Sequence, residues 1–410
     1  MTDWVNPCAP LLRPAILRSA PMAARTVLKL LARLQHGTLE LQLPDGSHTR
    51  FGQGRGPRAA MRWHDWSVCN AALRSGDIGL AESYLEGHWS STDLSALLRL
   101  FIANRELIET VVYGSRWGSL LHRVRHLFNR NSRAGSRRNI AAHYDLGNAF
   151  YQLWLDQSMN YSSAWFMGNP AMDLQEAQQA KMRRALQQAG VQADSEVLEI
   201  GCGWGAVAEL AARDFGARLT GITLSQEQLR YGVDRLAQAG LHRRSELRLQ
   251  DYRDLGDAQF DAVVSIEMFE AVGQRYWPGY FKAVHQALKP GGRACVQSIT
   301  IRDELFERYA RSTDFIQQYI FPGGMLPSYS QFRRHAQAAG LVVEEQFAFG
   351  PDYAETLRRW RSAYTHQAHA VEALGYDARF MRLWDFYLCY CEAAFDEGNI
   401  DVVQFTLRKP

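Results

Sequence analysis

From Asp173 onward, short apolar runs alternate with longer segments of helical period. Asp173-Leu-Gln-Glu176 has the form of a capping box opening a helix that ends at Gly190. Val197–Ile200 then reads as a buried strand, followed by a glycine turn and another helix. Further strands are predicted at Arg218–Ile222, Glu246–Gln250, Asp261–Ile266, Arg293–Ile301, Leu341–Phe349 and Asp401–Leu407, mostly separated by helices. This alternation predicts an α/β fold, a Rossmann-like, doubly wound sheet of seven strands. Between Arg302 and Ser330 it breaks into an extra helical segment and the loop Phe321-Pro-Gly-Gly-Met-Leu-Pro327. That insertion, about 302–330, is expected to form a lid over the carboxyl ends of the strands.

The N-terminal third is patterned differently. Met22–Leu34 spaces Arg25, Lys29 and Arg33 four apart among leucines, which predicts a basic amphipathic helix. Such a helix either touches a membrane or packs on its own domain. A second helix is expected at Leu94–Arg105 with Asp93 as its N-cap. The polar, basic stretch Asn129–Ser136 reads as a linker, giving a smaller N-terminal domain over 1–135 and a larger one over 136–410.

Composition narrows the class. With 47% hydrophobic, 22% charged and 11% aromatic residues, the 410-residue chain is globular rather than disordered. No apolar run approaches the roughly 18–20 residues that cross a bilayer. Arg13, Arg18, Arg25 and Lys29 interrupt every early segment resembling a signal peptide, so export is not expected. Six cysteines with no C-x-x-C pair disfavour zinc ribbons and disulfide scaffolds; no metal is expected, and the setting is read as reducing and cytoplasmic. The net charge of +3 conceals +9 over residues 1–138 and −6 beyond. Arg116–Arg138 holds seven arginines and no acid: a dock for phosphate on nucleic acid or anionic lipid, or a solvated linker.

Candidate chemistry begins at Glu199-Ile-Gly-Cys-Gly-Trp-Gly205, after a strand and before a helix. Gly201, Gly203 and Gly205 allow a tight turn and close approach to a ligand. Dinucleotide enzymes share such a turn, but Glu199 would repel a pyrophosphate and suits a cationic amino group. The loop therefore fits S-adenosylmethionine better than NAD. Thr223-Leu-Ser-Gln-Glu-Gln228 and Asp251-Tyr252 follow the next two strands, where they would meet ribose and adenine. Singly, Ser225 reads as an N-cap and Tyr252 as a core-rim residue.

With His143-Tyr-Asp-Leu-Gly-Asn148, Leu249-Gln-Asp-Tyr-Arg-Asp254, Met268-Phe-Glu270, the 321–327 loop and Tyr387–Phe395, these motifs resemble the cyclopropane fatty acid synthases and mycolic acid cyclopropane synthases. Gly79–Trp89 extends the likeness weakly into the N-terminal domain. The resemblance implies a Rossmann-like S-adenosylmethionine-dependent methyltransferase. It maps cofactor contacts onto Tyr161, Ser162, Gly201, Gly203, Thr223, Leu224, Gln228, Asp251, Tyr252, Arg253 and Ile266. It implies as substrate the cis double bond of an unsaturated acyl chain in a membrane phospholipid, and so a cytoplasmic enzyme peripheral to the inner face of the membrane. The basic N-terminal domain then serves membrane contact or homodimerisation. Nucleic acid is not an expected partner, because no Asn/Asp-Pro-Pro-Tyr/Phe motif for a flipped base appears.

Methyl transfer to an olefin leaves a carbocation, for which Tyr144, Trp165, Phe166 and Phe269 are candidate aromatic stabilisers, each also readable as plain core. A base must then remove a proton. Relatives resembling this chain use bicarbonate held by Cys, Glu, His and Tyr. Here Glu270 and Tyr353 match, but Ser163 and Gln297 stand at the Cys and His positions, and Ala271 where a second His is expected. Ser163 and Gln297 can still hydrogen-bond the ion; alternatively Glu270 acts directly, helped by Glu267 if the segment is helical. Proton loss from the methyl with ring closure gives cyclopropane, the leading expectation. Loss from that methyl's carbon without closure gives an exomethylene, and loss from the chain a branched olefin. Cys391 aligns with a family cysteine given an active-site role, although buried cysteine is ordinarily a small hydrophobe. His143 and Tyr144, oriented by Asp145, line a pocket or form a structural turn. A small-molecule methyltransferase would share the cofactor site but leaves the lid and the Glu270–Tyr353 pair unexplained.

Overall fold

The computed structural model describes residues 20–52, 54–112 and 146–410. They form two compact units: residues 20–112 with Tyr376–Glu397, and residues 146–375 with Gly398–Pro410. The arginine-rich stretch, the linker and His143–Asp145 lie outside the described residues.

The first unit contains α1 (Met22–Leu31), β1 (Thr38–Gln42), β2 (His48–Phe51), β3 (Arg58–Trp63), α2 (Ser67–Leu85), β4 (Trp89–Ser91), α3 (Leu94–Ala103) and α4 (Arg105–Val112). Its sheet runs β2-β1-β3-β4. Asp93 caps α3 as expected, accepting from the Ala96 N–H at 2.9 Å. Helix α1 buries Ala24, Leu28, Leu30 and Leu31 within this unit, so its apolar face has a partner in its own domain.

The helix Ala378–Asp396 also belongs to the first unit, although its sequence position placed it in the 136–410 domain. The Ser95 hydroxyl donates to Glu392 at 2.6 Å, Tyr84 donates to Asp385 at 3.1 Å, and Arg99 pairs with Glu397 at 2.8 Å. These partners are some 300 residues apart, beyond the reach of a local pattern.

The second unit runs through α5 (Asn148–Gln152), α6 (Leu174–Gln188), β5 (Glu196–Ile200), α7 (Ala206–Asp214), β6 (Arg218–Thr223), α8 (Gln226–Gln238), β7 (Ser245–Leu249) and β8 (Phe260–Ile266). It continues with α9 (Trp277–Ala287), β9 (Leu288–Ile301), α10 (Asp303–Tyr309), α11 (Phe315–Tyr319), α12 (Tyr329–Ala338), β10 (Val342–Ala348), α13 (Gly350–His366) and β11 (Ile400–Arg408). The sheet order is β10-β11-β9-β8-β5-β6-β7. Strands β5–β9 are parallel neighbours, and β11 enters antiparallel between β9 and β10. All seven predicted strands are present, with ends shifted by a few residues.

The central strands β5 and β8 are covered on both faces, which is why they read as apolar runs without alternation. One face carries Trp277, Phe281 and Phe332, the last stacked on Phe405 at 3.8 Å. The other packs Met182, Ala185 and Leu186 of α6 with Val207, Leu210 and Ala211 of α7. Each large apolar side chain so buried contributes roughly 1.5–3 kcal/mol. Strand order reverses beside β5, opening a crevice beyond the carboxyl ends of β5 and β8, where ligands of such sheets bind.

The insertion after β9 holds two helices, α10 and α11, rather than one. Asp314 and Gln317 form a reciprocal capping box on α11. The Phe321–Pro327 loop is tied down by Gln317 donating to the Gly324 carbonyl (2.9 Å) and by the Met325 N–H donating to the Glu270 carbonyl (2.9 Å). Among the described residues no helix is long and apolar enough to cross a membrane.

Candidate active site

Strand β5 delivers Glu199 to the crevice, and the chain then turns through Gly201 (φ +89°), Gly203 (φ +49°) and Gly205 (φ +83°). These left-handed conformations favour glycine. A Cβ on Gly201 would strike Met268 at 2.9 Å, whereas one on Gly203 would point into open space, leaving room for a ligand against the backbone. Glu199 is buried, and its Oε2 has no hydrogen-bond partner among the described residues. Burial pushes its carboxyl up to about 8, with the Lys181 charge opposing.

The next strand ends supply the expected polar groups. Thr223 donates to Gln228 Oε1 at 3.1 Å, Ser225 caps α8, and Leu224 is partly exposed. Asp251 is buried, and both its oxygens are engaged by Arg253, the shortest contact being 2.6 Å. Burial raises the Tyr252 phenol to about 12, and Ile266 closes β8 partly exposed. Tyr161 lies in an aromatic cage with Tyr151, Trp154 and Trp360 (centroids 5.5 Å each) and stacks on Phe321 of the Phe321–Pro327 loop at 6.5 Å. Ser162 accepts from the Lys181 ammonium at 2.5 Å.

A second cluster sits at the ends of β8 and β9. Ser163, Gln297 and Tyr353 are brought together as expected, but around Glu267 rather than Glu270. Glu267 Oε1 accepts from the Ser163 N–H (2.8 Å) and Gln297 Nε2 (2.7 Å), and Oε2 accepts from the Tyr353 hydroxyl (2.6 Å). The Ser163 hydroxyl turns away to the Ala164 carbonyl. Glu267 and Glu270 are not one helical turn apart: Glu267 follows β8 at φ +49°, and only Phe269–Ala271 forms a short 3-10 turn. Glu270 Oε1 accepts from the Ile299 N–H at 2.5 Å, while Oε2 is buried without a hydrogen-bond partner among the described residues. Burial, reinforced by the Glu267 charge, pushes its carboxyl up to about 8.

Sequence reasoning missed Lys181, fully buried on α6 and pulled down to about 8 by desolvation, with Glu267, Asp156 and Glu199 favouring its charge. Its signal was present: Ala177, Lys181 and Ala185 fall on one helix face, so a cation interrupts an apolar stripe. Gln404 was missed as well; it donates to Gln297 Oε1 at 3.0 Å. Of the candidate cation stabilisers, Tyr144 lies outside the described residues, and the other three have packing partners of their own. Phe269 is core beside Trp277 and Phe281, Trp165 packs on Phe347, and Phe166 lies beneath Arg359. Cys391 is on the Ala378–Asp396 helix of the first unit, not among the residues gathered in the second.

The buried Glu199 carboxyl, whose Oε2 has no hydrogen-bond partner among the described residues, and the open space at Gly203 fit the amino-acid portion of S-adenosylmethionine. Sheet order, glycine turn and acidic strand end define an S-adenosylmethionine-dependent methyltransferase. Comparison with known proteins gives its family. The model for mycolic acid cyclopropane synthetase matches residues 131–405, and the chain belongs to this family. Tuberculostearic acid methyltransferase UfaA1 of Mycobacterium tuberculosis is 40% identical over 408 residues, covering 96% of this chain and 94% of its own. Cyclopropane-fatty-acyl-phospholipid synthase of Escherichia coli is 34% identical over 350 residues, 82% of this chain and 84% of its own. The crystal structure of mycolic acid cyclopropane synthase CmaA1 complexed with SAH and CTAB superposes with a TM-score of 0.63 at 34% identity, covering 67% of this chain and 98% of that one.

Proposed function

We infer that this methyltransferase acts on the cis double bond of unsaturated acyl chains in membrane phospholipid. The match to a lipid-modifying family over residues 131–405 is the observation that carries this reading. S-adenosylmethionine supplies a sulfonium methyl electrophilic enough for an olefin. The chain's own residues do the rest. Glu199 receives the cationic amino group and fixes the cofactor's position. The Tyr161 cage and the Phe321 loop keep the acceptor end dry, and their π-faces favour the developing cation. A carboxylate of the Glu267–Glu270 cluster accepts the proton lost.

Ring closure to a cyclopropane chain is the product that the family match supports. A second reading, a methyl-branched or exomethylene chain, is favoured by the likeness to a tuberculostearic acid methyltransferase across 96% of this chain. The +9 charge of residues 1–138 supports peripheral attachment to anionic lipid on the cytoplasmic face, with homodimerisation the other role for that domain. The test is incubation with methyl-labelled S-adenosylmethionine and vesicles of either mono-unsaturated or fully saturated phospholipid. Label confined to the unsaturated acyl chains supports the reading. Label in neither, with cofactor binding intact, overturns it and points to a small-molecule acceptor.

A further inference from the structure

Three of the four residues that the family resemblance assigns to a bicarbonate ion, all but Glu270, are already engaged by a carboxylate of the chain itself. Ser163 N–H, Gln297 Nε2 and Tyr353 OH all donate to Glu267, within 2.6–2.8 Å. The direction of these bonds is fixed from behind. Arg184 donates to Gln404 Oε1 at 2.7 Å, which leaves the Gln404 amide nitrogen to donate to the Lys181 carbonyl and to Gln297 Oε1. The Gln297 amide is thereby turned so that its nitrogen faces Glu267. Every hydrogen-bond partner of Glu267 among the described residues is a donor, an arrangement that favours the proton-accepting form. Burial works the other way and prevails, holding the carboxyl above its ordinary value against the opposing Lys181 charge, which makes the ionised form a stronger base. Two oxygens offer about four lone-pair positions. Three are taken, and one on Oε2 remains for a proton.

We propose that Glu267 is the general base of the reaction, a built-in carboxylate occupying the cradle that would otherwise hold bicarbonate. The residues do not fit the ion while Glu267 is there, since both are planar anions requiring the same donors. The proposal rests on the acyl-chain reading for its substrate, not for the position of the base. In the step, the π pair of the olefin forms the new C–CH3 bond, and the S–CH3 pair leaves with sulfur as a neutral thioether. The neighbouring carbon becomes cationic. Glu267 takes one proton and becomes the neutral acid. If the proton comes from the transferred methyl, its C–H pair closes the ring onto the cation. If a hydride first shifts from the methylated carbon, the same loss gives an exomethylene. If the proton comes from the chain, the pair forms a displaced double bond beside a methyl branch.

The test compares wild-type protein, Glu267→Gln and Glu267→Gly in buffer stripped of bicarbonate and in buffer resupplied with it. Glycine suits the left-handed backbone at 267 and vacates the cradle. Label transfer to unsaturated phospholipid is one readout, and broadening of the 13C-bicarbonate resonance by the protein is the second. S-adenosylhomocysteine affinity reports folding in both variants. We expect the wild type to ignore bicarbonate in both readouts. Glu267→Gln should slow transfer about 10²–10⁴-fold with no rescue, and Glu267→Gly should bind the ion and recover rate when it is present. Wild-type transfer that falls on bicarbonate removal and returns on resupply would overturn the proposal, as would an undiminished rate in Glu267→Gln. A folded Glu267→Gly variant that takes up no ion contradicts the shared cradle. If the wild type labels no lipid at all, the acyl-chain reading fails, and the 13C readout still decides whether Glu267 fills an ion site.

Discussion

At the cofactor end of the second unit, the residues that matter arrive in chain order from the tips of neighbouring parallel strands: Glu199 after β5, Thr223 after β6, Asp251 after β7. At the acid cluster they converge from five separated segments: Ser163, Glu267, Gln297, Tyr353 and Gln404. The first region holds a ligand of fixed chemistry, and local backbone geometry builds it. The second, proposed to set where a proton goes, is built from long-range contacts. A fold can therefore retain its cofactor grip while its proton acceptor changes.

Lys181 faces both regions, so its removal is the harshest test of their separability. Lys181→Met leaves Glu267 without its buried counter-charge, and thermal or denaturant unfolding should show a loss of about 3–5 kcal/mol. Glu199→Gln should act on one region only. Cofactor affinity should fall about 10–100-fold by calorimetry, the worth of roughly 1.5–3 kcal/mol for a charged hydrogen bond, with bicarbonate independence unchanged. Tyr353→Phe should do the reverse, lowering kcat about tenfold within that same range while leaving cofactor affinity intact. Because the lost hydroxyl favoured the ionised Glu267, the acid limb of the pH–rate profile should move to higher pH.

A smaller effect concerns Glu199 itself. Its carboxyl, raised to about 8 in the free protein, is largely protonated at pH 7. A cationic amino group beside it favours the carboxylate, so binding releases a proton and affinity rises as pH climbs toward 8. Calorimetry in two buffers of different ionisation heat should detect the release, and Glu199→Gln should abolish it. Smallest of all is Ser163→Ala: the backbone N–H, not the hydroxyl, serves Glu267, so the rate should barely change.

The same contrast explains what could be read in advance. All seven strands and the cap at Asp93 follow from local periodicity and side-chain chemistry, and the glycine turn with Glu199 follows from adjacent residues. The base region did not. Glu270 was expected to meet Tyr353, but the left-handed turn at Glu267 swings that carboxylate inward, and nothing near residue 267 announces the turn. The Ala378–Asp396 helix was misassigned for a related reason, since Ser95, Arg99 and Tyr84 lie almost the whole chain away.

A crystal structure of the protein grown with S-adenosylhomocysteine in bicarbonate buffer would test both regions together. The expected result is the cofactor's amino group against Glu199, and the Glu267 carboxylate still bonded to Ser163 N–H, Gln297 and Tyr353 with no ion in the cradle. A planar three-oxygen ion held by those donors, with Glu267 swung out, would contradict it.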